Sequence, residues 1–247
     1  WAAQGDRYIG WRQERQGETI YEYIDPATGQ GTPLYTDALA LWGRWTAQDR
    51  LMLISKKTEG PRDDPQVHQI LQPDDRIAGW RDRNNVQLLD PATGLVSVLT
   101  QGQHDSYATI SDDGGKILLS VRENDITERP FTFTTLLLLD RETMKADTLV
   151  RHNGFLGQCQ WMPDNRHILL QGSPEALGGI GKNDPTGKTP SMIQQELFLM
   201  DTHTGEITPL TKDFDPSIIN VECSHADGNL YALCENRDLQ SIFRLDM

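Results

Sequence analysis

Leu197-Phe198-Leu199-Met200-Asp201 runs straight into Thr202-His203-Thr204-Gly205. An apolar strand ends on an aspartate and enters a tight turn. The strand phrase occurs five times. Its other copies are Ile20-Tyr21-Glu22-Tyr23-Ile24-Asp25, Val86-Gln87-Leu88-Leu89-Asp90, Leu136-Leu137-Leu138-Leu139-Asp140 and Ile242-Phe243-Arg244-Leu245-Asp246. A second landmark, a polar turn followed by an apolar run, keeps step with it. It reads Gln4-Gly5-Asp6-Arg7-Tyr8-Ile9, Gln48-Asp49-Arg50-Leu51-Met52-Leu53, Asp112-Asp113-Gly114-Gly115-Lys116-Ile117, Pro163-Asp164-Asn165-Arg166-His167-Ile168 and Ala226-Asp227-Gly228-Asn229-Leu230-Tyr231. Two landmarks repeated in fixed order mark a repeat architecture.

The turns after the aspartates read Pro26-Ala27-Thr28-Gly29, Pro91-Ala92-Thr93-Gly94, Arg141-Glu142-Thr143-Met144 and Thr202-His203-Thr204-Gly205. A further strand follows each, ending at Thr36, Thr100, Val150 and Thr211. From aspartate to that end is 11, 10, 10 and 10 residues, an interval that holds only a hairpin. Another strand precedes each polar turn and ends at Trp45, Ile110, Trp161 and Cys223, with Trp1 in the first copy. Each unit is thus four short antiparallel strands, a to d. Tandem four-stranded units predict an all-β fold, a β-propeller. The units run about 1–36, 38–100, 104–150, 154–211 and 217–247. The first and last are incomplete, as expected of a piece of a larger propeller. The strand c runs are near-continuously apolar, which predicts cover on both faces.

The length variation falls between strands b and c, in insertions of about Lys56–Asn85, Arg122–Phe133 and Pro174–Ser191. In a blade those connections emerge on one face. Insertions on one face of a repeat array mark a binding side, although drift in exposed loops gives the same pattern. Arg122, Glu123 and Glu175 are the charged residues nearest the strand ends there. They are the candidate residues for substrate binding or domain docking, against the plain alternative of solvated charges.

Composition bounds the function. The formal net charge of −13 argues against binding nucleic acid through its phosphates. No run of about 18 apolar residues offers a membrane span. No G-x-S-x-G nucleophile elbow occurs, so no catalytic residue is assigned. The six histidines are dispersed over separate units, and neither they nor Cys159, Cys223 and Cys234 show metal-ligand spacing. No cofactor or metal is expected, and buried free thiols are. Gly181-Lys182-Asn183-Asp184-Pro185-Thr186-Gly187-Lys188-Thr189 has one residue too many for a phosphate-binding loop, and Pro190 stands where its helix would start.

The units, Ser111-Asp112-Asp113-Gly114-Gly115-Lys116-Ile117-Leu118 above all, resemble the S-P-D-G-K-x-I repeats of two groups. One is the propeller domain of the prolyl oligopeptidase family, in its dipeptidyl-peptidase-like branch. The other is the propeller of TolB-type periplasmic proteins. The long b–c insertions look more like the peptidases. So does Gly172-Ser173-Pro174-Glu175-Ala176-Leu177-Gly178-Gly179-Ile180-Gly181, which is similar to a stretch in bacterial members. The resemblance implies a noncatalytic propeller that gates a peptide substrate. Its partner would be a C-terminal α/β-hydrolase domain of the same parent protein, the part that carries the serine triad. A periplasmic or extracellular setting goes with it, with a cytoplasmic one open. The alternative is a stand-alone interaction propeller of TolB or WD40-like type. The family's dipeptidyl peptidases hold the substrate's amino group with adjacent glutamates. No Glu-Glu pair occurs here. The matching segments carry only Asp37, Asp105, and Asp213 with Asp215, so the resemblance does not extend to dipeptide release.

Overall fold

A computed structural model describes residues 3–4, 7–13, 19–37, 40–46, 50–58, 70–71, 73–76, 81–100, 107–184, 194–224 and 226–246. They form five antiparallel sheets, each ordered as the chain runs. The first holds β1 (Ala3–Gln4), β2 (Arg7–Gln13), β3 (Thr19–Ile24) and β4 (Gly31–Asp37). The second holds β5 (Ala40–Trp45), β6 (Leu51–Thr58), β7 (Asp82–Leu89) and β8 (Val96–Val98). The third holds β9 (Tyr107–Ile110), β10 (Lys116–Asn124), β11 (Thr132–Asp140) and β12 (Ala146–Asn153). The fourth holds β13 (Leu156–Trp161), β14 (His167–Gly172), β15 (Glu196–Asp201) and β16 (Ile207–Pro209). The fifth is three-stranded: β17 (Ser217–Cys223), β18 (Leu230–Asn236) and β19 (Leu239–Leu245). Helix is confined to a 3-10 turn, Pro73–Arg76, and one short segment, α1 (Ala176–Gly179), among the described residues. The chain divides into two compact units, Trp1–Tyr107 and Ala108–Met247.

The repeated aspartate has a common local task. Its backbone N–H closes the turn onto the carbonyl five residues on: Gln30, Leu95, Lys145 and Glu206, at 2.9–3.0 Å. Its Oδ1 accepts from a backbone amide inside the turn: Ala27 at 2.8 Å, Ala92 at 2.9 Å, Thr143 at 2.8 Å and His203 at 2.8 Å. Asp and Asn are turn formers for this reason. The threonine three residues on accepts from a backbone N–H two further along, as Thr28 does from Gln30 at 3.3 Å and Thr204 from Glu206 at 3.2 Å. The fourth position is left-handed: Gly29, Gly94 and Gly205 have φ of 69°, 71° and 74°. In two sheets the residue just before strand b adds a cation. Arg50 reaches Asp90 at 2.9 Å, and Arg166 grips Asp201 with Nε at 3.1 Å and Nη2 at 2.5 Å. That hydrogen-bonded guanidinium, with the His203 amide, holds the Asp201 carboxyl far below the usual carboxylate range.

In the third sheet the left-handed position is Met144, at φ 53°. A left-handed residue with a Cβ carries a steric cost that glycine avoids. Met144 is half exposed, so its side chain contributes little packing. Met144→Gly is expected to stabilise the chain by about 1 kcal/mol, read as a rise in the urea midpoint at unchanged slope.

Strand register defines which positions correspond. Trp45 pairs with Leu51, Trp161 with Ile168 and Cys223 with Leu230. The Ser111 N–H to Lys116 carbonyl bond, 2.9 Å, puts Ile110 in the same place. Trp1 lies outside the described residues. The register corrects the sequence reading there, because Ala3, opposite Tyr8 and through it Ile24, holds the equivalent position in the first sheet.

Burial corrects a second expectation. In the third and fourth sheets strand b is more continuously covered than strand c: Ile117 to Val121 in β10 and Ile168 to Gly172 in β14 are all buried, whereas β11 is interrupted and β15 alternates after Phe198. Strand d is mostly exposed in β8 and β12. Strand c borders that exposed edge, and strand b lies one step further in. Between the fourth and fifth sheets, Leu169, Leu197, Ile218, Val221, Leu230 and Ala232 form one core. Cys159 and Cys234 are buried and Cys223 is half-buried, all as free thiols. Burial pushes the Cys159 thiol up to about 12.

Candidate functional site

The Arg122–Phe133 insertion is mostly strand. Arg122 pairs with Thr134, Glu123 with Phe133 and Asn124 with Thr132, so the turn proper is 125–131. Asp125 organises it. Its Oδ1 accepts from the Thr127 hydroxyl at 2.6 Å and amide at 2.8 Å, and its N–H reaches the Phe131 carbonyl at 2.8 Å. Those Thr127 bonds hold its carboxyl below the usual range. Ile126 and Phe131 are exposed at the tip, with the Arg129 guanidinium 4.0 Å above the Phe131 ring. Phe133 stacks on His152 at 3.8 Å.

This turn, the β12–β13 turn and the loop after β14 meet. A Cβ on Gly154 would fall 2.3 Å from Pro130 Cγ and 3.3 Å from Phe133 Cε1. The Phe155 carbonyl accepts from Ser173 N–H at 3.0 Å. A Cβ on Gly172 would lie 2.8 Å from that carbonyl and 3.0 Å from Ala176 Cβ. Two of the three insertions therefore gather on one side of the second compact unit. The third, Lys56–Asn85, belongs to the first unit, and residues 59–69, 72 and 77–80 of it lie outside the described residues. In its described part, the Asp75 carboxylate is buried, accepts from Leu71 N–H at 2.7 Å and takes Arg81 in two bonds of 2.6 and 2.8 Å.

The loop after β14 is described to Asp184, and residues 185–191 of the Pro174–Ser191 insertion lie outside the described residues. Ser173 starts the loop by accepting Ala176 N–H on its carbonyl at 2.9 Å and Glu175 N–H on its hydroxyl at 3.3 Å. Leu177 and Gly178 then turn left-handed, at φ 56° and 80°, which stops any helix. Glu175 Oε2 meets Lys182 Nζ at 2.5 Å, and its Oε1 is buried without a hydrogen-bond partner.

Of the three residues singled out in the sequence, Glu175 sits in this loop, tied to Lys182. Arg122 and Glu123 are exposed on β10, and as successive strand residues they point to opposite faces. No contact links the three among the described residues.

A residue the sequence reading passed over lies beneath the loop. Glu196, the first residue of β15, is only 2% exposed, and its Oε2 has no hydrogen-bond partner. A Cβ on Gly181 would fall 2.3 Å from that oxygen, 3.1 Å from Phe198 Cζ and 3.1 Å from Pro174 Cα. Burial pushes the Glu196 carboxyl up to about 7; Lys212 opposes the shift and Asp213 adds to it. The signal was legible. Five residues before each repeat aspartate stand Ile20, Asn85, Thr135 and Ser241 in the other copies. Only here is that position charged.

No family model and no curated protein sequence matches the chain. Solved structures do. An acylaminoacyl peptidase in complex with Z-Gly-Gly-Phe-chloromethyl ketone superimposes with a TM-score of 0.72 at 15% identity, over 98% of this chain and 36% of that one. The chain has a β-propeller fold. It is also similar to the β-propeller domain of the Trilobed protease from Pyrococcus furiosus (TM-score 0.65, 13% identity, 98% of this chain and 64% of that one). TolB from Acinetobacter baumannii matches at a TM-score of 0.61 and 15% identity, over 97% of this chain and 50% of that one. The chain therefore spans about a third of the length of the acylaminoacyl peptidase. No helix among the described residues is long and apolar enough to cross a membrane.

Proposed function

We propose that this propeller is the noncatalytic domain of a serine peptidase of the prolyl oligopeptidase type. It docks an α/β-hydrolase domain of the same parent protein and screens peptides on their way to it. The observation that carries this reading is the peptidase superposition, a TM-score of 0.72 over nearly the whole of this chain. The peptidase neighbour is held with a blocked tripeptide derivative, and the substrate class proposed here is accordingly a short peptide. The face bearing the 125–131 turn and the loop after β14 is the proposed docking and gating side. Its exposed Ile126 and Phe131 supply apolar contact, and Arg122, Glu123 and Glu175 supply polar contact. The TolB likeness supports a second reading, a stand-alone protein-interaction propeller, at a lower TM-score of 0.61. A periplasmic or extracellular location fits either reading.

The test uses the native polypeptide that contains these residues. It should hydrolyse short blocked peptide anilides and leave a large unfolded protein such as casein intact. Absence of peptide hydrolysis, or equal attack on casein, contradicts the proposal. Replacing Glu123 and Glu175 together by Gln is expected to raise KM several-fold or loosen the two domains while leaving the fold intact. Steady-state kinetics and limited proteolysis of the domain junction check this, and unchanged values in both remove the docking role of these two residues.

A further inference from the structure

A carboxyl group without a partner is costly to bury in its charged form. Glu196 buries one such unpartnered oxygen, Oε2, and a loop covers it. Gly181 rests on its Oε2 so closely that no Cβ fits between them, with Pro174 and Phe198 at the same point. The charged groups acting on Glu196 are Lys212 and Asp213, from the turn after β16. On the loop itself, Glu175 is engaged with Lys182. No described cation forms an ion pair with Glu196 that would hold its charge in place.

We propose that Glu196 is a proton-operated latch for the 173–184 segment after β14: neutral, it lets the segment lie closed over it, and ionised, it drives the segment open to reach water. This holds whether or not the propeller serves a peptidase. The direction of the pH effect follows from burial. The carboxyl in the closed state is raised above its ordinary value, to about 7, so the closed state binds the proton more tightly than the open one. Closure is therefore fully favoured at acid pH. It weakens as pH rises from the ordinary carboxyl range, about tenfold in the opening equilibrium per pH unit. Above about pH 7 the dependence levels off.

Hydrogen exchange of the Ala176 and Lys182 amides reads the latch directly, because both are bonded within the loop, to Ser173 and Gly179 carbonyls at 2.9 and 3.2 Å. Exchange is measured by NMR on the chain from acid to mildly alkaline pH and corrected for the intrinsic rate. Protection should fall about tenfold per unit and then flatten. In Glu196→Gln it should stay high and independent of pH. A flat profile in the unaltered chain, or an unchanged slope in Glu196→Gln, overturns the proposal. A carbon-13 titration of the Glu196 carboxyl in the unaltered chain decides the matter even if the variant does not fold: a midpoint in the ordinary carboxyl range refutes the latch, and one near neutrality supports it.

Discussion

Phe198→Ala is expected to destabilise the second compact unit by about 3–5 kcal/mol. Phe198 is among the largest fully buried side chains, at 0% exposure. It lies in the middle of β15, paired to Leu170 on one side and Pro209 on the other. Neighbouring Leu197 and Leu199 point into the core shared with β17 and β18. Strand alternation sends Phe198, with Glu196 and Met200, to the opposite face. Its ring reaches the loop, with Cζ 3.1 Å from the site a Gly181 Cβ would occupy. Truncation therefore opens a cavity that the rigid strands on either side cannot close. Urea denaturation followed by tryptophan fluorescence should show the lost stability as a lower midpoint. A loss below about 1 kcal/mol, far under the usual cost of such a truncation, would mean that Phe198 is not packed as described.

Gly181→Ala is expected to cost about 1–3 kcal/mol. Its backbone is not left-handed, so the cost is one of space rather than conformation. The added methyl would stand 2.3 Å from Glu196 Oε2 and 3.1 Å from Pro174 Cα. The carboxyl is confined by its own burial, and the proline is backbone, so neither yields freely. Removing the obstructing oxygen isolates the cause. In Gly181→Ala with Glu196→Ala, the second change should recover part of the loss, a coupling that double-mutant cycles resolve. Strictly additive effects would place the clash elsewhere. Thermal melts of the four proteins at one pH provide the measurement.

The repeat was legible because it is made of short-range chemistry. Asp, Thr and Gly at fixed spacing each satisfy or permit one feature of the turn, as at Asp201, Thr204 and Gly205. Such bonds need no knowledge of distant contacts. Arg166 and Asp201 are 35 residues apart, yet the repeat aligns them, since strand b starts opposite the end of strand c. The distribution of burial was less legible. Apolar content is high in both strands b and c, and only the exposed fourth strand shows which is the more covered. The insertions were misjudged for a related reason. Arg122, Glu123, Asn124, Thr132 and Phe133 fall in the insertion by length, but strand pairing simply continues through them. At the candidate site, Glu175 was found by its nearness to a strand end. Glu196 stood out only as the one charge at its repeat position, and a single glutamate in a strand looks like an exposed alternate position. Its burial depends on a loop that folds back from Ser173 to Gly181, and no local spacing encodes that return.

The central claim is that these blades belong to a serine peptidase. The most direct measurement is labelling of the native parent polypeptide with a serine-reactive fluorophosphonate, followed by mass-spectrometric mapping of the modified residue. The expected result is one labelled serine in a G-x-S-x-G sequence outside these 247 residues, with labelling blocked by a short peptide chloromethyl ketone. A parent polypeptide that takes up no label, or takes it up only within the blades, would contradict the claim.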